Sequence, residues 1–485
     1  MTSIIIACVL IAYFGVLLTI AYLTSRNASA NSFFTGDKKS PWYLVAFGMI
    51  GTSLSGITFI SVPGSVGDGG WYYYQMVIGF FIGYFVVAYV LLPLYYKYNL
   101  TSIYRYLEYR LGFSAYKWGA GYFILSRTLG ATVRLYLVIN VLQLFVFDPL
   151  GVPFWLATLL IIGMIIAYTL QGGVKTIVWT DTLQTLFMLL ALVVCIFSIQ
   201  SALHLDWSQI WTQLEAKNMT KLWNTDPLKK DFFLKHIIGG AFITIAMTGM
   251  DQEMMQKNIS VKSLKDAQKN MVVFSVTLLA VNALFLLLGG VLSLYIEQLG
   301  IKVAPDDLFP YIVQNYLPFG VFVIFIIGLI SALFPSVDGA ITALTSSFCI
   351  DVLGFNRNNF EEEKKKRIKR WIHLGFAAVF MVLVFLFKWL NNKSIVDLIF
   401  DIAGYTYGPL LGLFAFGILT KRQLIHPKTA FITLISPLLC YGLKTNSTLL
   451  LGSYQLGNEL LILNGALTFL LLFIVSKPNN HVTTH

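Results

Sequence analysis

The sequence predicts an all-α membrane protein of about thirteen transmembrane helices, and three observations carry that prediction. Of its 485 residues, 57% are hydrophobic and only 12% are charged, a balance foreign to soluble globular chains. Apolar runs of about 17–25 residues, the length that crosses a bilayer as a helix, recur from one end to the other. The basic residues gather in short connections between those runs, as loops on one side of a membrane do.

In chain order the runs place spans at 4–23, 42–63, 71–96, 118–146, 153–170, 175–202, 234–257, 270–296, 315–350, 371–390, 394–419, 427–444 and 456–476. The first has no basic stretch before it and no small-residue cleavage site after it, so it is expected to be retained and not removed as a signal peptide. The second holds glycines and hydroxyls where a lipid-facing helix would hold Leu or Ile. The third opens on Trp71-Tyr72-Tyr73-Tyr74, which fits an interfacial aromatic belt. The seventh carries Gly239-Gly240, then Thr244, Thr248 and Gly249. His236 and His373 lie near span ends and read as interfacial. The longest polar connections, 203–233 and 354–370, are of loop or amphipathic-helix length, so residues 1–485 form a single transmembrane domain. The run Glu361 to Arg367 reads first as a solvated helix start, acidic early and basic late to suit the dipole, and second as a lipid-headgroup contact.

The formal net charge of +11 does not point to nucleic acid, because it is spread over loops. Basic loops (Arg26, Lys38 and Lys39; Lys97, Arg105, Arg110 and Lys117; Lys257 to Lys269; Lys364 to Arg370; Lys421 to Lys428) alternate with charge-poor ones at 63–70, 148–152, 391–393 and 445–455. That alternation places the N-terminus outside and the C-terminus in the cytoplasm of an inner or plasma membrane; the basic loop Lys217 to Lys235 stands against it. Cys8, Cys195, Cys349 and Cys440 are isolated in apolar runs and suggest neither a disulfide nor a metal cluster. No obligate protein partner is indicated; the expected partners are the bilayer, a small solute and a cation.

The most telling stretch is Gly51-Thr52-Ser53-Leu54-Ser55-Gly56-Ile57-Thr58. Irregular backbone at membrane depth is tolerated only where it packs in protein or lines a cavity. A span interrupted at the midplane is how many secondary transporters build their site; close packing through small residues is the other reading. Five spans later the seventh has its own interruption, so spans two to six (42–202) and seven to eleven (234–419) are expected to form an inverted repeat. Spans 4–23, 427–444 and 456–476 are then peripheral.

Charges inside spans are costly and therefore candidates for function. Four stand out: Arg134, Asp181, Asp338 and Asp401. One reading is a mutual ion pair that locks helices; the other is an anionic solute on Arg134 and a hard cation on the aspartates. Asp251 and Glu253 read as partners for Lys257, and Arg127 as a gate or a snorkelling side chain.

Four motifs in order resemble the sodium/solute symporter family: Gly51 to Phe59, Gly172 to Asp181, Asp251-Gln252 with Gln256-Lys257, and Ala332 to Asp351. The resemblance covers nearly the whole chain and implies a LeuT-type 5+5 inverted-repeat fold with discontinuous helices. It implies one sodium on the carbonyls of Gly51, Leu54 and Ala332 and the hydroxyl of Ser336. A second family hydroxyl falls on Pro335, a departure; proline frees the carbonyl four residues back, that of Ser331. It also implies a second sodium near Asp181, where Asp338 and Gly339 replace the family's small hydroxyl residues. The stretch around Gly51 looks most like that of bacterial sialic-acid symporters. Solute contacts then fall on Ser53, Ser55, Thr58 and Arg134, with Gln75 near a family glutamine position occupied here by Val77, and Thr244 as a further polar position.

The expected activity is sodium-coupled import of an acidic sugar or other carboxylate by alternating access. The alternatives are a sodium/neutral sugar or polyol symporter, a channel, which would need a filter-like repeat, and an intramembrane enzyme using Asp181 and Asp338 as an acid pair. No nucleophile–base pair is visible within the spans.

Overall fold

The structure, a computed structural model, describes residues 2–26, 30–358, 360–390, 393–424 and 432–478. It is built of helices; the only strand-like pairings among these residues are two isolated bridges, Ser40 with Val261 and Gln423 with Lys477. The helices that frame the site are α1 (Thr2–Ser25), α2 (Trp42–Ser53), α3 (Gly56–Gly64), α4 (Tyr72–Lys97), α5 (Phe113–Leu142), α6 (Phe154–Leu170) and α7 (Gly172–Leu203). They continue with α8 (Phe233–Gly249), α9 (Gln252–Ile259), α10 (Leu264–Leu299), α11 (Pro305–Tyr316), α12 (Phe319–Val352) and α13 (Glu362–Leu390). The last three are α14 (Lys393–Leu419), α15 (Ile435–Thr445) and α16 (Glu459–Val475). Helices or bent pairs that are long and apolar enough to cross a membrane fall on nine of the expected spans. Shorter apolar helices, Phe154–Leu170, Gly404–Leu419, Ile432–Thr445 and Glu459–Val475, fall on the other four. The start of the expected span 427–444 lies outside the described residues.

Two spans are broken. Helix α2 and the run Thr58–Gly64 meet at 60°, through extended backbone at Ser55 (φ −65°, ψ 166°). Helices α8 and α9 meet at 65°, and a π-turn over Ile245–Gly249 precedes the bend. The interruption expected in this span falls at its Thr248 and Gly249 end, and the helix passes unbroken through Gly239-Gly240. These glycines serve close packing: a Cβ on Gly240 would strike the Met76 carbonyl, and on α4 one on Gly79 would strike that of Ile237. Small residues let α4 and α8 approach backbone to backbone.

Helices α6 and α7 turn at Gly173, where φ is 53° and ψ −138°; a side chain there would be strained and would also meet the Phe33 ring. Helix α12 is the centre of the molecule, buried without interruption from Gly328 to Ser347. It packs on α7, where Gly328 lies against Ala191, and on α1 through a 2.7 Å bond between the Tyr13 and Ser331 hydroxyls. His373, expected at the interface, is instead fully buried between Thr169 Oγ1 (2.9 Å) and Thr345 Oγ1 (3.1 Å), joining α6, α12 and α13. The connection 203–233 contains an amphipathic helix, Trp207–Ala216, started by an Asp206–Gln209 capping box.

Candidate functional site

The break between α2 and α3 opens onto a cavity of about 160 Å³. Ser53, Leu54 and Thr58 line it from the break, Tyr73 and Tyr84 from α4, Arg127 and Arg134 from α5, Thr244 and Thr248 from α8, and Asn282 from α10. The oxygens Thr244 Oγ1 and Asn282 Oδ1 are buried with no hydrogen-bond partner, and Ser53 Oγ sits 3.4 Å from the Tyr84 hydroxyl. Buried polar groups are normally satisfied, so these mark a surface built for a polar guest. A larger cavity, about 360 Å³, shares Arg127, Arg134, Ile243 and Met247 with the first. It runs to the Asp401–Lys444 ion pair (2.6 Å), whose side chains are 42% and 43% exposed.

Of the expected solute contacts, Ser53, Thr58, Arg134 and Thr244 therefore meet at one cavity. Ser55 and Gln75 are buried away from its lining; the Gln75 amide donates to the Tyr72 carbonyl at 3.0 Å. Tyr73, expected in an interfacial belt, lines the cavity instead. Asp401, expected inside a span, lies at the exposed rim.

The expected cation ligands lie on two elements that meet, Gly51 and Leu54 at the end of α2, Ala332 and Ser336 on α12. The last four carbonyls of a helix have no intrahelical donor, and Gly51 is among the last four residues of α2. Gly51 is glycine because a Cβ there would sit 2.5 Å from Thr185 Oγ1 and 3.5 Å from Pro335 Cγ; Thr185 Oγ1 already accepts the Gly51 N–H at 3.1 Å. On the other side of the break, a Cβ on Gly56 would touch Leu333 Cα at 3.7 Å. Gly51, Leu54, Ala332 and Ser336 thus flank one helix crossing, with the Ser336 hydroxyl donating to the Leu333 carbonyl at 2.7 Å. Pro335 occupies that crossing inside an uninterrupted α12.

A buried charge network lies beside it. Asp181, Asp251, Glu253, Asp338, Lys257 and Arg127 are all at most 6% exposed, so each needs a partner. The Lys257 ammonium donates to Asp181 Oδ2 and to Thr52 Oγ1, both at 2.6 Å, and lies 3.9 Å from Glu253. Arg127 pairs with Glu253 and approaches Asp251 at 3.9 Å. Asp251 caps α9 by accepting the Glu253 N–H at 2.9 Å and receives the Tyr407 hydroxyl at 3.1 Å. Asp338 takes the Tyr168 hydroxyl at 2.6 Å.

This network corrects two expectations. Lys257 is no loop cation, and its closest carboxylate is Asp181, ahead of Glu253, while Asp251 faces Arg127. Arg127 is neither snorkelling nor exposed. Asp181, expected beside a second sodium, holds the Lys257 ammonium through Oδ2, and its Oδ1 is buried without a hydrogen-bond partner. The missing signal was available in principle, since a buried Asp181 demands a countercharge and Lys257 ends a recognised motif. The direction in which the 65° bend carries it inward was not visible.

A model of the sodium:solute symporter family matches residues 33–435. Over 432 residues the chain is 25% identical to the sodium/sialic acid symporter NanT of Aliivibrio fischeri, spanning 85% of this chain and 82% of that protein. It is 26% identical over 412 residues to the sodium-coupled monocarboxylate transporter 1 of Mus musculus, spanning 82% and 66%. Its fold is similar to that of a sodium-coupled sialic acid symporter solved substrate-bound and outward-open, with TM-score 0.84, 20% identity, and 98% and 99% of the two chains covered. The fold is LeuT-like.

Proposed function

The chain belongs to the sodium:solute symporter family, and from that premise we propose that it imports an organic acid, such as an acidic sugar of the sialic acid kind, with the solute carboxylate on Arg134. As a family member it is a sodium-coupled membrane transporter and not an enzyme. The observation that carries the substrate class is a cavity that sets the Arg134 side chain opposite the hydroxyl-bearing break of α2 and α3. A guanidinium matches a carboxylate in shape and charge, and Ser53, Thr58, Thr244 and Asn282 offer donors and acceptors for the rest of the solute.

Sodium at Gly51, Leu54, Ala332 and Ser336 orders the end of α2, whose next residues face the solute. Spans 42–202 and 234–419 act as the two inverted halves that rock about the breaks. The wider cavity leads to the charge-poor side, which the loop charges assign to the outside together with the N-terminus. On the basic side, contacts such as Arg357 with Glu108 (2.5 Å) and Lys117 with the Asp351 carbonyl close the path. A membrane potential then contributes about 2.3 kcal/mol per charge per 100 mV to sodium entry.

The inner cavity also favours a second reading, a smaller monocarboxylate. At about 160 Å³ it has less than half the volume of the outer cavity, so a nine-carbon sugar acid would extend into the outer one. Thermal-shift titration of the purified chain with N-acetylneuraminic acid, lactate, pyruvate, galactose and inositol, in sodium and in potassium, tests both readings. The expected result is a sodium-dependent shift with one of the acids that Arg134→Ala loses. A shift with galactose or inositol that survives Arg134→Ala would overturn the acid reading.

A further inference from the structure

We infer that Lys257 is a built-in cation at Asp181, and that the transporter accordingly carries one sodium, at the α2–α12 crossing, and none at Asp181. The inference rests on the sodium-coupled reading and adds to it the number of ions. Three observations bring it out. The Lys257 ammonium is 3% exposed and takes two oxygens at 2.6 Å, Asp181 Oδ2 from α7 and Thr52 Oγ1 from α2. A monovalent cation at this carboxylate would want those same hard oxygens. The Thr52 hydroxyl is also held 3.1 Å from Asp181 Oδ2, so that oxygen, the hydroxyl and the ammonium form a closed triangle, while Asp181 Oδ1 is buried without a hydrogen-bond partner. Beyond Lys257 stands Glu253, itself engaged by Arg127, so the ammonium is flanked on both sides by carboxylates that hold it in place.

The position of Thr52 gives this arrangement a second consequence. It follows Gly51 directly, and Gly51 supplies a carbonyl to the crossing with α12. The Lys257–Thr52 bond therefore joins the two bent spans at the residue next to the cation site. A sodium ion free to come and go at Asp181 would detach that bond in every cycle. A tethered ammonium keeps it and supplies the same positive charge. Sodium added to Asp181 beside Lys257 would place like charges in contact away from water, where repulsion is strongest.

Equilibrium binding of ²²Na⁺ to the purified full-length chain, with sodium alone as the probe, tests the inference. The parent is expected to bind one sodium per chain. Lys257→Met, which leaves the Asp181 carboxylate without its ammonium, is expected to bind two, and Asp181→Asn/Lys257→Met to return to one. Two ions on the parent overturn the inference while leaving sodium coupling intact, as does a single ion on a Lys257→Met protein that elutes as a folded species. Should that single variant not fold, the parent count and the charge-neutral double variant decide: two ions on either overturn the inference. A parent that binds no sodium saturably overturns the sodium-coupled reading instead.

Discussion

The two bent spans turn through nearly the same angle, 60° and 65°, but they fill their breaks with opposite chemistry. The first, α2 and α3, breaks at small and hydroxylic residues without a charge among them. The second, α8 and α9, is followed at once by Asp251, Glu253 and Lys257, all buried. In the function proposed above, an uncharged break leaves carbonyls and hydroxyls for mobile guests, an ion and a solute. A charged break is satisfied internally, by Arg127, Asp181, Thr52 and Tyr407, and holds the framework against which the first one works. Buried ion pairs contribute little net stability compared with apolar packing, but removing one partner is costly. The two breaks should therefore respond differently to substitution.

The largest effect is expected at the charged break. Arg127→Met leaves Asp251 without its cation and Glu253 with only the Lys257 ammonium at 3.9 Å, and losing one partner of a buried pair costs about 3–5 kcal/mol. The variant should show a strongly lowered apparent melting temperature in detergent, whether or not sodium is present. A melting curve equal to the parent's would mean that the network does not hold α9. Next comes Tyr407→Phe, which removes only the hydroxyl bonded to Asp251 at 3.1 Å. Hydrogen bonds to charged groups contribute about 1.5–3 kcal/mol, so a smaller loss in the same assay is expected. An effect as large as that of Arg127→Met would show that Tyr407, and not the ion pair, anchors the break.

These differences also explain how far the sequence was readable. The apolar segments among the described residues, the interruption at Gly51 to Thr58 and the boundary between the spans 153–170 and 175–202 were legible because each is a local pattern: length, small residues, paired glycines. The meeting of Ser53, Thr58, Arg134 and Thr244 at one cavity followed from depth and family motif together. The interruption of the seventh span was legible as a small and hydroxylic stretch from Gly239 to Gly249, but not its position within that stretch, because glycine in a span can signal either a bend or a close helix contact, and here α4 uses Gly240 for contact. Lys257 was counted among loop cations since its sequence neighbours, Lys262 and Lys265, are such cations. Only the bend after Gly249 turns it back toward Asp181, which lies 76 residues earlier. Pairings of that range depend on helix directions, and local patterns do not report them.

At the uncharged break the expected effects are smaller and concern the guests more than the frame. Gly51→Ala would bring a methyl to 2.5 Å from Thr185 Oγ1, and overpacking of this kind costs about 1–3 kcal/mol. Because the shift falls on a carbonyl of the cation crossing, sodium activation of uptake should weaken more than the melting temperature drops. Equal sodium activation in parent and variant would remove Gly51 from the cation site.

Pro335→Ser tests the same crossing in the opposite direction. Proline there withholds an N–H from the Ser331 carbonyl and offers no oxygen of its own, while its ring lies against Gly51. Serine at this position restores a helical donor and places a second hydroxyl beside Ser336. One added hydrogen-bonding group contributes about 1 kcal/mol, so sodium should activate uptake at roughly fivefold lower concentration. The ring atoms lost from the contact with Gly51 offset part of that gain in stability, and the melting temperature should change little. If sodium affinity falls instead, the Pro335 ring is itself shaping the carbonyl set around the ion. The uncharged break would then depend on apolar packing as much as the charged one depends on its ion pairs.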